Sequence, residues 1–234
     1  MPNILALECA SDSCSVALLH HSNLLEKTSD SPKRHNELIL PMVEELLAEA
    51  QLTIQDIDVY AFGCGPGSFT GIRIAASIVQ GLAFSNSKPV IPVSSLASLA
   101  QSAYSTQLYS DVVTAVDARM GEIYWAHYRL GDKKTMELLG AEVLCSPSST
   151  PRISESTTII PGSVLAIGSG CLYQNDIAAA NPEISHWAPD IMASAKDVIQ
   201  LALVCYENGD VRAAHEAIPV YLREKVNWKK LPGR

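Results

Sequence analysis

The sequence predicts a pair of related α/β lobes that face a cleft. A series of three consecutive strands followed by helices occurs twice along the 234 residues, which indicates a repeated architecture. Hydrophobic residues make up 47% of the chain and charged residues 18%, so there is ample apolar material for packed cores. The length suits one large domain or two small lobes. We expect the first lobe over residues 1–108 and the second over residues 109–234.

The first lobe begins with a predicted meander of three strands, followed by a helix. Short polar segments separate three apolar runs, which cover residues 4–10, 14–19 and 24–28. The helix is predicted over residues 33–50, where apolar residues recur at helical spacing. Ser31 is the expected N-cap, Pro32 occupies the first helical position, and Pro41 is expected to kink the helix.

The remainder of this lobe alternates between strands and helices. A strand is predicted over residues 58–64, and a glycine-rich loop over residues 65–71 leads into a second helix that ends near Phe84. A strand over residues 90–93 and a helix over residues 95–104 complete the lobe.

The second lobe repeats the meander. Three strands are predicted over residues 112–117, 123–130 and 138–145, with a later strand over residues 165–168 and a helix over residues 194–207. Residues 146–158 are rich in Ser, Thr and Pro, which favours an exposed connection.

Charge and cysteine usage exclude several classes of protein. The formal net charge of −8 does not offer the basic surface of a protein that grips nucleic acid by itself, so a partner is expected to hold any RNA. No basic run precedes an apolar stretch, and no segment approaches the roughly 20 apolar residues that span a bilayer. We therefore expect a cytoplasmic protein without a membrane segment. Its six scattered cysteines favour buried thiols, and its basic residues 224–234 favour a solvated tail over contact with an acidic partner or RNA.

The glycine-rich loop is the densest local signal. Its glycines allow a tight backbone path, and the helix start that follows could bind an anion through Gly67, Ser68, Thr70 and Arg73. The spacing fails the G-x-G-x-x-G pattern because Ser68 occupies the last glycine position, and no P-loop lysine follows. A plain turn between strand and helix is the alternative.

The second helix is apolar on nearly every face, with small residues at positions 75, 76, 77 and 81. Such a helix must be covered all round. Its own domain can cover it, or part of it can meet a partner subunit, and the sequence leaves both open.

The residues near His35 do not form a recognisable metal motif. A metal-binding helix would place a second histidine one turn after His35, and position 39 is Ile. We therefore expect no bound metal and a surface or capping role for His35.

Residues 117–122 join two carboxylates, a guanidinium and a turn glycine between two strands. A hairpin held by an ion pair is one interpretation. The other places Asp117 or Arg119 at the mouth of the cleft, near a nucleotide or a partner. No G-x-S-x-G elbow or cysteine nucleophile pattern accompanies them, so the sequence shows few candidate catalytic residues.

Several motifs along the chain match one family pattern from end to end. They occupy residues 4–7, 14–18, 34–37, 40–41, 65–74, 117–124 and 219–223. Through them the chain resembles the TsaB family, also called YeaZ, within the group of proteins that share the actin-like ATPase fold. The resemblance implies two actin-like (ASKHA, ribonuclease H-like) lobes, each a mixed sheet with flanking helices.

The resemblance also implies a function, that of a non-catalytic subunit in a complex that makes threonylcarbamoyladenosine in tRNA. In that complex TsaD transfers threonylcarbamoyl to the adenosine beside the anticodon (position 37), TsaE is an ATPase, and TsaC supplies the threonylcarbamoyl adenylate. TsaD carries a helical H-x-x-x-H pair where this chain has His35 and Ile39, so the chain looks like an inactive paralogue. It is then expected to bind no cofactor alone, to meet tRNA only through the complex, and to leave the use of ATP to the complex.

In the family, the first two helices pack against the equivalent helices of TsaD, and the sequence leaves open a homodimer through the same helices. The residues that the resemblance assigns to this contact are Leu38, Ile39, Met42, Ile72, Ala75, Ala76 and Val79.

The sequence departs from the family where Glu8-Cys9 replaces the usual Asp-Thr and Ala75 replaces a glycine. The first change weakens any inference of phosphate or Mg²⁺ binding. Two rival functions are a glycoprotease-like hydrolase, which the missing second histidine opposes, and an autonomous kinase of the same fold, which would need intact phosphate-binding residues in both lobes.

Overall fold

A computed structural model describes residues 1–30, 34–107, 109–153 and 163–223. Two mixed five-stranded sheets form the frame of the molecule. This confirms the two-lobed α/β class and its repeat.

The first sheet has the strand order β3-β2-β1-β4-β5. Strands β1 to β3 form the antiparallel meander, and β4 and β5 join parallel to β1 on its other side. The bounds are β1 Ile4–Glu8, β2 Cys14–His20, β3 Asn23–Ser29, β4 Val59–Gly63 and β5 Val90–Val93. Strands β1 and β4 are buried along their whole length, as expected for central strands covered on both faces.

The second sheet has the same topology, with the order β10-β9-β6-β7-β8. Strands β6 to β8 form the meander, and β9 and β10 continue parallel to β6. The bounds are β6 Asp111–Asp117, β7 Ile123–Leu130, β8 Met136–Cys145, β9 Val164–Ile167 and β10 Ile184–Ala188.

Within the described residues, five α-helices cover the sheets: α1 His35–Glu49, α2 Phe69–Ser85, α3 Ser95–Gln107, α4 Gln174–Ala180 and α5 Ala195–Glu207. Helices α1 and α2 cover one face of the first sheet and α5 covers the other. Helix α3 covers one face of the second sheet, α4 covers the opposite face, and α3 also contacts α5. Each sheet is thus covered on one face by a helix from the other half of the chain, α5 on the first sheet and α3 on the second. The division into lobes between residues 108 and 109 stays a prediction.

Some element ends differ from the sequence-based expectation. Helix α1 begins at His35 with Arg34 as its N-cap residue, and the expected cap at residues 31–33 lies outside the described residues. Helix α2 begins at Phe69, before the expected residue 72, because the Ser68 side chain accepts a hydrogen bond from the Gly71 amide. Helix α4 and strand β10 were not predicted.

The segment after β8 corrects another expectation. Residues 146–158 were predicted to be exposed, but Pro147, Thr150 and Ile153 are buried. The Asn181 side chain accepts a hydrogen bond from the Ile153 amide at 2.8 Å and donates one to the Thr150 hydroxyl at 2.9 Å. These bonds fasten the segment to the end of α4, while residues 154–158 lie outside the described part of the chain.

All six cysteines are free thiols, four of them buried and two, Cys145 and Cys205, half-buried. The expectation of buried thiols therefore holds fully for four. Among the described residues, no helix is long and apolar enough to cross a membrane.

Candidate functional site

An open groove runs between α1 and α2 on the outer face of the first sheet. Its volume is about 460 Å³. The lining is mainly apolar, and two of its residues, Leu40 and Phe69, are 46% and 59% exposed. The lining residues are Asn36, Leu40, Phe69, Thr70, Arg73, Ile74, Ser77 and Ile78. With Arg73 as the single ionisable group, the groove suits apolar side chains of a partner better than acid–base chemistry.

Arg73 is held in place on one wall of this groove. Its guanidinium carbon lies 3.7 Å from the centre of the Phe69 ring, and its Nε donates a hydrogen bond to the Tyr221 hydroxyl at 2.7 Å. The two aromatic rings lie 5.8 Å apart. Cation–π attraction and the hydrogen bond therefore fix an exposed cation that would otherwise sample many rotamers. Tyr221 was not predicted as a site residue, although it lies within the matched motif at residues 219–223.

The glycine-rich loop approaches the turn after β1 very closely. A Cβ atom on Gly71 would lie 1.8 Å from the Cys9 carbonyl oxygen, and one on Gly67 would lie 2.5 Å from the Ala10 oxygen. The Ser68 amide donates to the Ala10 oxygen at 2.7 Å. Close packing thus accounts for the glycines and already uses amides that an anion would need, which favours the plain turn. Anion contact by Gly67, Ser68, Thr70 and Arg73 stays a prediction.

Six of the seven side chains expected at a partner interface lie in this chain's own core, and Leu38 is half-buried against it. The six are Ile39, Met42, Ile72, Ala75, Ala76 and Val79. Their helices lie on the first sheet, and the stripe that faces a sheet is the one water cannot reach. Contact of these residues with a partner stays a prediction. The residues that line the groove are other side chains of the same two helices, α1 and α2.

His35 is not the surface or capping residue that was expected. Its side chain is buried, and Nε2 lies 3.1 Å from the Asp12 carbonyl oxygen in the turn between β1 and β2. Ile39, one turn later, is completely buried in the core. Within the described residues, no group of three or more His, Cys, Asp or Glu side chains comes together as a metal site would require. The absence of bound metal stays a prediction.

Asp117 and Arg119 form the expected hairpin ion pair between β6 and β7. The Arg119 Nη1 atom lies 3.2 Å from Asp117 Oδ2, and the Arg119 side chain is 84% exposed. The ion-pair interpretation is confirmed. Among the described residues, no hydrogen bond or ion pair joins these two side chains to the start of α2. A nucleotide or partner contact by either residue stays a prediction.

Glu8, at the end of β1, is sealed from solvent. Its carboxylate accepts hydrogen bonds from the Ala10 amide at 2.8 Å and from the Ser95 hydroxyl at 3.1 Å. Desolvation by burial raises the pKa of this carboxyl to about 7, against the lowering effect of these hydrogen bonds. A carboxyl in this position is not presented to an open cleft where Mg²⁺ or phosphate could meet it.

Comparisons with known proteins point to one group. Residues 26–181 match the family model described as "TsaD: tRNA N6-adenosine threonylcarbamoyltransferase". The chain is 35% identical over 231 residues to the tRNA threonylcarbamoyladenosine biosynthesis protein TsaB of Escherichia coli (strain K12), covering 99% of both chains. It is also 35% identical over 238 residues to the TsaB protein of Haemophilus influenzae, covering 99% of this chain and 98% of that one.

Solved structures agree with these matches. The structure named "YeaZ from Pseudomonas aeruginosa" superposes with a TM-score of 0.85 at 37% identity, covering 95% of this chain and all of that one. A second structure, of an uncharacterized protein with similarity to peptidase YEAZ from Pseudomonas aeruginosa, gives a TM-score of 0.88 at 38% identity and the same coverage.

Proposed function

Because the chain belongs to the TsaB family of tRNA threonylcarbamoyladenosine biosynthesis proteins, we propose that it acts in that biosynthesis as a non-catalytic partner subunit of a TsaD-type transferase. TsaE joins as the ATPase, TsaC supplies the threonylcarbamoyl adenylate, and tRNA is held by the complex. The net charge of −8 supports an indirect role toward tRNA, since the chain lacks the overall basic charge that nucleic-acid binding requires.

The main observation that supports this proposal is the groove between α1 and α2. It presents Leu40 and Phe69 to solvent beside the half-buried Ile74 and Ile78, so water is in contact with apolar surface that a partner helix would cover. The occupant is the equivalent helical surface of the transferase. A second copy of this chain would compete for the same groove.

The non-catalytic part of the proposal draws on three positions at which a catalytic relative would need an accessible side chain. Glu8 is sealed beneath the start of α3, His35 is committed to the Asp12 carbonyl, and Ile39 lies in the core. These positions support neither the glycoprotease-like hydrolase nor the autonomous kinase. We therefore propose that the chain alone binds no cofactor and that ATP is consumed by the complex.

The test places a charge in the groove. Leu40→Asp is expected to weaken binding to a TsaD-type transferase at least about 100-fold in calorimetry, because a desolvated, unpaired carboxylate in an apolar interface costs several kcal/mol. Modification of tRNA by the reconstituted complex should fall in parallel, and addition of wild-type chain should restore it.

The matched control is Leu138→Asp, the same substitution on β8 of the second sheet, where the leucine is 42% exposed. It should bind and support modification like the wild type. If Leu40→Asp bound the transferase as tightly as Leu138→Asp does, the groove would not be the docking surface. Self-association measured in the same samples by sedimentation shows whether a second copy uses the groove instead.

A further inference from the structure

The C-terminal strap, defined here as Ala217–Arg223, crosses from one lobe to the other without regular secondary structure. It starts beside α2, where the buried Ala217 belongs to the core under α1 and α2. In its middle, the Val220 amide donates to the Cys64 carbonyl oxygen at 2.8 Å, just after β4. The strap approaches Gly65 closely there, since a Cβ atom on this residue would lie 3.0 Å from the Val220 oxygen.

Side chains near the end of the strap bind both lobes. Tyr221 accepts the hydrogen bond from Arg73, which is a residue of the groove wall on α2. Two residues later, Arg223 forms an ion pair with Glu122 at 2.6 Å and donates to the Ala118 carbonyl oxygen at 3.1 Å. The Arg223 side chain is only 17% exposed, so solvent screens this pair less than an open surface pair.

The hairpin that Arg223 binds has an unusual backbone. Arg119, Met120 and Gly121 have successive φ angles of 64°, 61° and 76°, and two of these residues are not glycine. Left-handed conformations of such residues persist when surrounding contacts hold them. Arg223 supplies contacts on both sides of the turn, at Ala118 and at Glu122.

We propose that the strap is a clasp that couples the conformation of the hairpin at residues 118–122 to the wall of the groove on α2. Arg223 holds one end, Tyr221 holds the other, and only one residue separates them. Motion of the hairpin therefore reaches the Arg73 side chain through a stretch of only three residues, Tyr221 to Arg223. The coupling is a property of the chain itself, while its effect on a transferase partner rests on the proposed function.

Hydrogen exchange on the full-length chain, without any partner, tests the clasp. In Arg223→Gln, the amides of Val220 and Ile72 should exchange about tenfold faster than in the wild type, because a charge-assisted contact that holds the strap is lost. The Ile72 amide is a suitable reporter since it donates to the Ser68 oxygen at 3.0 Å in the first turn of α2. Faster exchange confined to residues 118–122 would overturn the proposal.

Two further variants separate the clasp from general loosening. Arg129→Gln breaks a comparable ion pair of the second sheet, at 2.7 Å to Asp111, and should leave Val220 and Ile72 unchanged. An equal effect of Arg129→Gln would also overturn the clasp. Tyr221→Phe keeps the ring but removes the acceptor for Arg73, so it should accelerate exchange at Ile72 while leaving the hairpin protected. Since no partner is present, a failure of the docking proposal would not alter these results.

Discussion

The carboxylate of Glu8 and the hydroxyl of Ser95 lie 3.1 Å apart, which joins the end of β1 to the start of α3. Strand β1 is central to the first sheet, and α3 covers the second, so this hydrogen bond spans the junction of the lobes. Ser95 also accepts a hydrogen bond from the Gly65 amide at 3.2 Å, which ties the glycine-rich loop to the same point. The buried Glu8 carboxyl therefore lies where the end of β1, the start of α3 and the glycine-rich loop meet.

Glu8 should make the stability of the chain depend on pH. Its pKa is raised from 4.5 to about 7 in the folded protein, so the folded state holds this proton more tightly than the unfolded state. The stabilisation is complete below pH 4.5 and is lost as pH rises to about 7, a difference of up to about 3 kcal/mol in the free energy of unfolding. Urea denaturation at pH 5 and pH 8 measures it.

Glu8→Gln isolates this effect, because every other titrating group is retained. The variant should lose less stability between pH 5 and pH 8 than the wild type does. An unchanged difference between the two pH values would show that Glu8 is not responsible.

The sequence predicted the frame of the fold better than its connections. Strands such as β7 and helices such as α5 follow from local periodicity, whereas β10 was missed because only Ile184 among its five residues is fully buried. The inward face of α2 could not be chosen either, since nearly every position is apolar and only packing shows that Ala76 points inward. The contact between Arg73 and Tyr221 joins residues 148 positions apart, which no local pattern encodes.

Asp197 should be essential for the contact between α3 and α5. Its side chain is completely buried and accepts hydrogen bonds from the hydroxyls of Ser102, Ser105 and Ser194. Asp197→Ala leaves three donors without their acceptor, so the free energy of unfolding should fall by about 3 kcal/mol in urea denaturation. Asp210→Ala, at an exposed position beyond α5, should change it by less than about 0.5 kcal/mol. A similar small effect of Asp197→Ala would contradict this account.

His35 should matter for folding rather than for metal chemistry. Purified chain should contain no stoichiometric zinc or iron by plasma mass spectrometry, since Ile39 occupies the place of a second ligand. His35→Ala should lower the free energy of unfolding by about 1 kcal/mol through loss of the bond to the Asp12 oxygen. Complex-dependent tRNA modification, measured below the melting temperature, should remain near the wild-type rate. One metal ion per chain, or loss of modification in a folded and assembled variant, would refute the non-catalytic role.

Two glycines of α2 should respond in opposite directions to the same substitution. Gly71 is buried against the turn after β1, and its Cβ would meet the Cys9 backbone oxygen at 1.8 Å, a contact that no side-chain movement can relieve. Gly71→Ala should therefore destabilise the chain by about 3 kcal/mol or more. Gly81 is exposed in the same helix, with nothing within 4 Å of its Cβ position, so Gly81→Ala should stabilise by about 0.5–1 kcal/mol.

Thermal and urea unfolding of the two alanine variants beside the wild type measure this contrast. The unfolded chain gains the same methyl group in both variants, so the opposite signs report the surroundings of each site in the folded state. If Gly71→Ala were as harmless as Gly81→Ala, the start of α2 would not lie against the Cys9 carbonyl. The glycine at position 71 would then need another reason, and binding of an anion at the helix start would regain weight over close packing.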